Sequence, residues 1–308
     1  MVSLIVTEGL SKRFGQVTAL SELDIDIKPG VVGLIGANGA GKSTLIKILL
    51  GLLPATSGRA TVLDLDVRSE GQAIRARVGY MPEHDCLPPD VSATELVVHM
   101  ARMSGLSAMS ARERTADILR HVGLYEERYR PIGGYSTGMR QRVKLGQALV
   151  HDPKLVLLDE PTNGLDPAGR EDMLGLIGRI NSEFGISALV TSHLLGELER
   201  VCDHIVVIDG GRLLQSSSTA DVTAASQVIL VEVDERHDEL RELLARAGLE
   251  VSKAGRLLEV VLRDDSTYDV VRDTVAAAGL GLIRMERRRH RMAEIFAAAR
   301  TEGDASAA

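Results

Sequence analysis

Residues 36–43 read Gly-Ala-Asn-Gly-Ala-Gly-Lys-Ser, a glycine-rich loop closed by a lysine and a hydroxyl residue, the spacing G-x-x-x-x-G-K-S. Loops of this kind cradle phosphate. Glycines let backbone N–H groups close around phosphate oxygens without Cβ clashes, and the helix that follows adds about half a positive charge at its N-terminus. Lys42 is placed to reach the β- and γ-phosphates, and the Ser43 hydroxyl to bind Mg²⁺. The nucleotide-contacting positions are therefore Gly36, Asn38, Gly39, Ala40, Gly41, Lys42, Ser43 and Thr44. The glycine spacing does not fit the dinucleotide fingerprint G-x-G-x-x-G.

A second group of chemical residues follows an apolar run, Leu155–Leu158, that ends in Asp159 and Glu160. In open parallel sheets ligands bind at the carboxyl ends of strands, where both acids would emerge. One carboxylate suits Mg²⁺, and its neighbour suits the orientation or deprotonation of water. Pro161 is expected to hold Glu160 in extended backbone and so aim its side chain. These two groups alone leave kinases, GTPases and helicases open.

The elements that must position them are legible in outline. Residues up to 35 read as strands, with Leu23, Ile25 and Ile27 alternating with charges, a Pro29-Gly30 turn, and Val31–Ile35 apolar on both faces. Ser43–Leu53 and residues 137–150 read as helices. Residues 92–123 form a helical region with capping boxes at Ser92/Glu95 and Ser110/Glu113. Ile186–Val190, Ile205–Asp209 and Arg212–Gln215 read as strands. Ser216–Ser226 has linker composition. Beyond it, strands at Val228–Val233, Leu257–Leu262 and Leu282–Met285 and helices at Asp238–Ala247 and Tyr268–Ala278 suggest a split β-α-β-β-α-β domain. A helix over 291–300 is expected to pack on that sheet, and Arg287–Arg291 reads as a solvated basic face.

Composition narrows the classes. The 308 residues carry 36 Lys+Arg against 43 Asp+Glu, a net charge of −7, with 44% hydrophobic, 3% aromatic and no Trp. That excludes a disordered chain, and it argues against bulk nucleic acid as a partner and against base-stacking platforms. Cys86 and Cys202 stand far apart, which fits a reducing cytosol rather than a disulfide framework. No 18 apolar residues run together, so a membrane span is not expected.

The segment that decides among phosphate-loop proteins is Tyr135-Ser136-Thr137-Gly138-Met139, at a helix start before the acidic pair. Here the chain resembles the nucleotide-binding subunits of ABC transporters, over residues 4–215. The family signature is usually LSGGQ; this sequence keeps Ser136 and Gly138. The resemblance implies an α/β P-loop ATPase domain with a mostly parallel sheet, an antiparallel β subdomain and a helical subdomain. With the linker composition and the element order beyond it, that domain is expected at 1–215, followed by a linker at 216–226 and a small α+β ferredoxin-like domain at 227–308.

The resemblance further implies that Ser136 and Gly138 cap the γ-phosphate of ATP held by a second copy, so two chains meet head to tail around two ATPs. Phe14 matches the adenine-stacking position, the alternative being a core Phe on an edge strand. Asp166 matches the loop that couples the two sites, or is a plain turn residue. Glu160 matches the catalytic carboxylate, His193 the switch histidine, and Ser43 with Asp159 the Mg²⁺ ligands. Glu83 stands where the family carries glutamine; it either joins the metal ligands or serves a loop that transmits motion to a partner.

One ATPase module followed by a small β/α tail resembles the ATPases of ABC-2 type exporters of drugs, antibiotics, lipids and polysaccharides. This implies a separate membrane permease and a place at the cytoplasmic face of the membrane. The other readings are a soluble ATPase of translation or DNA repair, and an ATP-binding regulatory module with negligible turnover.

Overall fold

In the computed structural model, which describes residues 3–84, 86–219 and 228–287, the first apolar alternation becomes a hairpin. Strands β1 (Ile5–Phe14) and β2 (Val17–Ile27) pair antiparallel, burying Ile5, Leu10, Leu20, Leu23, Ile25 and Ile27 on one face. With β4 (Ser57–Val62) and β5 (Leu65–Asp66) they form an antiparallel sheet of order β2-β1-β4-β5.

The second sheet holds β3 (Val31–Ile35), β6 (Val78–Met81), β7 (Leu155–Leu158), β8 (Ser187–Ser192), β9 (His204–Asp209) and β10 (Arg212–Ser218), in the order β10-β9-β3-β8-β7-β6. All its pairings are parallel except β9–β10. β3, β7 and β8 are buried along their whole length, as expected of strands covered on both faces. Because β8 lies between β3 and β7, the loops leaving their carboxyl ends converge: residues 36–42, residues 159–160 and His193.

Helices follow their caps. α1 (Lys42–Leu49) starts at Gly41 and stops four residues before the expected end, since Gly51 takes φ 64° and Leu52 turns out to solvent. After the short α2 (Gly71–Arg75) comes the helical pair α3 (Ala93–Met103) and α4 (Ala108–His121). Both bonds of the Ser92/Glu95 capping box form. The second expected box does not. Ser107 caps α4 instead, accepting from the Ser110 N–H at 3.1 Å, so the helix begins three residues earlier and Ser110 lies inside it. α5 (Thr137–Leu149), α6 (Pro167–Phe184) and α7 (Leu195–Leu198) complete the set. β10 runs on through Ser218 because Ser216–Ser218 pair with His204–Val206.

The chain divides into two units, Met1–Thr219 and Ala220–Ala308. The second has the order β11 (Val228–Val233), α8 (His237–Arg246), β12 (Val251–Ala254), β13 (Leu257–Val261), α9 (Ser266–Ala277) and β14 (Leu282–Arg287). Its antiparallel sheet runs β12-β13-β11-β14, the split-βαβ arrangement, over a core of Ile229, Val231, Leu240, Leu244, Leu258, Val260, Val271 and Val275. Strand β12, not individually assigned from sequence, is a short, largely exposed edge without apolar alternation. Residues 220–227, the expected 291–300 helix and the basic run beyond Arg287 lie outside the described residues.

Candidate functional site

The Gly36–Lys42 loop has room only for backbone at its ends. A Cβ on Gly36 would sit 2.6 Å from the Ile208 carbonyl oxygen, and one on Gly41, whose φ is 104°, 2.5 Å from that of Ala19. Lys42, buried at the first position of α1, donates from Nζ to the Gly36 carbonyl at 2.7 Å and lies 3.3 Å from Glu160 Oε1. The loop and helix start, Ala37–Thr44, line a cavity of about 280 Å³ together with Ala19, Glu83 and Glu160. Seven of the eight expected nucleotide-contacting residues therefore face one space, and Gly36 closes its base through Lys42.

The acidic pair is fixed from below. Thr191 Oγ1 donates to Asp159 Oδ1 at 2.8 Å and accepts the Glu160 N–H at 2.8 Å, so one hydroxyl on β8 orients both residues. Sequence reasoning missed Thr191; its only signal is its place two residues before His193. The expected extended backbone at Glu160 is not found. Its φ is 49°, because its N–H is held by Thr191 while its carbonyl accepts from Asn163 N–H at 3.0 Å, a turn with Pro161 at its second position. A non-glycine residue in this region stores strain of about 1–3 kcal/mol, which recurs at functional sites.

The Glu160 carboxylate is divided between two neighbours. Oε2 stands 2.9 Å from His193 Nδ1; Oε1 faces the Lys42 ammonium and is buried without a hydrogen-bond partner. A buried carboxylate oxygen with free lone pairs, bordering a phosphate-sized space, fits a site that takes water and a hard cation. Ser43 and Glu83 line the same cavity and add oxygen donors of the type magnesium prefers; Asp159, buried beneath and held by Thr191, does not line it. Among the described residues no three His, Cys, Asp or Glu cluster as a closed metal cage. Magnesium needs none, since it keeps waters and substrate phosphates as ligands. The acids' charge is felt nearby: burial first, then Asp159, pushes the Tyr80 phenol up to about 12.

Of the remaining candidates, Ser136, Gly138 and Asp166 lie elsewhere. Ser136 caps α5, its Oγ accepting from Met139 N–H at 3.2 Å; Asp166 caps α6, its Oδ1 accepting from Gly169 N–H at 2.9 Å. Ser136, Gly138 and Asp166 line a second cavity of about 600 Å³, which shares no lining residue with the phosphate cavity. Phe14 ends β1, is 48% exposed and has the Lys12 ammonium 5.0 Å from its ring centre, so it is not a core residue. Glu83 lines the phosphate cavity and accepts from Asn163 Nδ2 at 3.4 Å.

A phosphate loop opening a helix, an acidic strand end and a histidine just past the next strand, joined to an antiparallel β subdomain and a helical pair, define an ATP-binding cassette. The profile of the ABC transporter family matches residues 20–163. The linearmycin resistance ATP-binding protein LnrL of Bacillus subtilis is 35% identical over 71% of this chain and 70% of its own. The daunorubicin/doxorubicin resistance ATP-binding protein DrrA of Streptomyces peucetius is 35% identical over 81% of this chain and 77% of its own. The solved structure of CbiO1 of Clostridium perfringens, part of the ABC transporter complex CbiONQ, superposes with a TM-score of 0.68 at 25% identity, covering 80% of this chain and 97% of that one.

The chain belongs to the ATP-binding subunits of ABC transporters. It is a nucleotide-binding ATPase that powers a separate membrane permease, and subunits of this kind dimerise. Among its described residues no helix is long and apolar enough to cross a membrane.

Proposed function

We propose that two copies of this chain meet head to tail, the Ser136–Gly138 segment of each closing over ATP seated on the Lys42 loop of the other. The observation that carries this reading is the separation of two cavities in one chain, each bearing half of the expected groups. Residues 38–44 surround the phosphates with N–H donors, Lys42 offsets their charge, and the Phe14 ring stacks on adenine. Ser43 and Asp159 would hold Mg²⁺, which offsets further phosphate charge, with Glu83 as a third donor. Glu160 takes a proton from water as its oxygen attacks the γ-phosphorus; the bond to the bridging oxygen breaks and ADP and phosphate leave. His193 steadies the Glu160 carboxylate, and Asp166 carries the coupling between the two sites.

The chain would sit at the cytoplasmic face of the membrane, bound to its permease, and drive export of a drug, antibiotic, lipid or polysaccharide. The resistance proteins among its relatives support that direction. The first unit, which runs through Thr219 because Ser216–Ser218 extend β10 where a linker was expected, would form the motor, and the second an accessory regulatory domain. Pull-down of tagged Glu160→Gln chain with ATP from detergent-solubilised native membranes tests the assignment. A multi-span protein in stoichiometric amount is expected; ribosomal or DNA-repair proteins in its place would overturn it.

A further inference from the structure

One helix holds two loops that border the phosphate cavity. Lys144 and Gln141 stand three positions apart on α5 and so share a face. Lys144, only 4% exposed, donates from Nζ to the backbone carbonyls of Glu83 at 2.9 Å and His84 at 3.4 Å. Gln141, also buried, donates from Nε2 to the Asn163 carbonyl at 3.1 Å. Asn163 in turn donates from Nδ2 to the Glu83 carboxylate. The helix thus grips the backbone of both partners in that side-chain hydrogen bond. Burial of an ammonium is unfavourable against an apolar residue of similar size, so packing alone gives no reason for a lysine here. Its hydrogen bonds to the loop give one.

We propose that Lys144 is a positioning residue that sets where the Glu83 carboxylate stands in the phosphate cavity. Ser136 caps the same helix, so any shift of α5 as that end engages a partner's ATP is passed to Glu83 in the chain's own site. The inference rests on the reading of Glu83 as a metal-side group.

The test titrates phosphate release with Mg²⁺ at saturating ATP, using the full-length chain as wild type, Glu83→Ala, Lys144→Met, Lys144→Arg and the Glu83→Ala/Lys144→Met double variant. Each of the Glu83→Ala and Lys144→Met changes is expected to raise the Mg²⁺ needed for half-maximal rate about tenfold. Lys144→Arg restores most of the shift, and Lys144→Met adds less than about twofold once Glu83 is gone. A Glu83→Ala profile like wild type would sink the Glu83 reading and the proposal with it. A shift with Glu83→Ala but none with Lys144→Met would overturn the positioning role alone. A Lys144→Met shift undiminished in the Glu83→Ala background would make Lys144 a general structural residue, also overturning it. Should Lys144→Met fail to fold, Lys144→Gln carries the same comparison.

Discussion

The two units of this chain bury different things. In the first, Lys42, Lys144, Asp159 and Glu160 lie at under a tenth exposure among otherwise apolar strands and helices. In the second, the buried set is Ile, Val and Leu with Thr267 as its polar member among the described residues, and the charged side chains pair on the surface, as in Lys253–Asp238 and Arg272–Asp269. Buried charge is unfavourable unless paired and hydrogen-bonded, so a fold retains it where chemistry needs it. The first unit holds a reaction site; the second is held by its apolar core and surface pairs, which contribute little each.

The largest expected break in that contrast comes from Glu160→Gln. It keeps shape and cavity but removes the proposed base, and kcat should fall about 10²–10⁴-fold while ATP still binds. Phosphate release and nucleotide binding, measured together, check this; a fall under tenfold would deny Glu160 the base role. In the other unit, Leu258→Ala should destabilise the second core by about 2–4 kcal/mol. Calorimetry should show an earlier transition with the ATPase rate of the remaining folded chain within about twofold.

Thr191→Val sharpens the comparison within the first unit. It matches threonine in volume but strips the link between Asp159 and the Glu160 N–H, leaving both unpaired at about 1–3 kcal/mol each. A drop of about tenfold in kcat at similar KM is expected, and a change in KM alone would contradict it.

The smallest effect concerns acid stability. Burial, opposed by the bond to the Val78 carbonyl, holds His151 below the ordinary value of 6.5. The unfolded chain therefore takes up that proton first: the stability is full above 6.5 and is lost as pH falls through 6.5 towards the folded value. His151→Gln should flatten the fall of melting temperature below pH 6.5, and an unchanged slope would remove His151 from the account.

What the sequence shows and hides follows the range of the interactions. The phosphate loop, the acidic strand end and the Ser92/Glu95 cap are set by neighbours within a few residues, and all were readable. α6 went unassigned although Asp166-Pro167 and Gly185 bracket it, because its apolar positions are spread among small and charged residues. The left-handed backbone of Glu160 depends on Thr191, thirty-one positions away, and the grip on Glu83 depends on Lys144, sixty-one away. Neither leaves a local pattern. Ser107 and Ser110 show the limit at short range: both can cap, and the helix uses Ser107.

The central claim is that each active site is shared between two chains, and subunit complementation tests it most directly. A Lys42→Ala chain keeps its Ser136 half, and a Ser136→Arg chain keeps its Lys42 half; each alone should be nearly inactive. Mixed in equal amounts, half of the dimers are hybrids with one intact composite site, so activity should rise to about a quarter of wild type. A mixture as inactive as either parent would contradict the account and place both halves of the site in one chain.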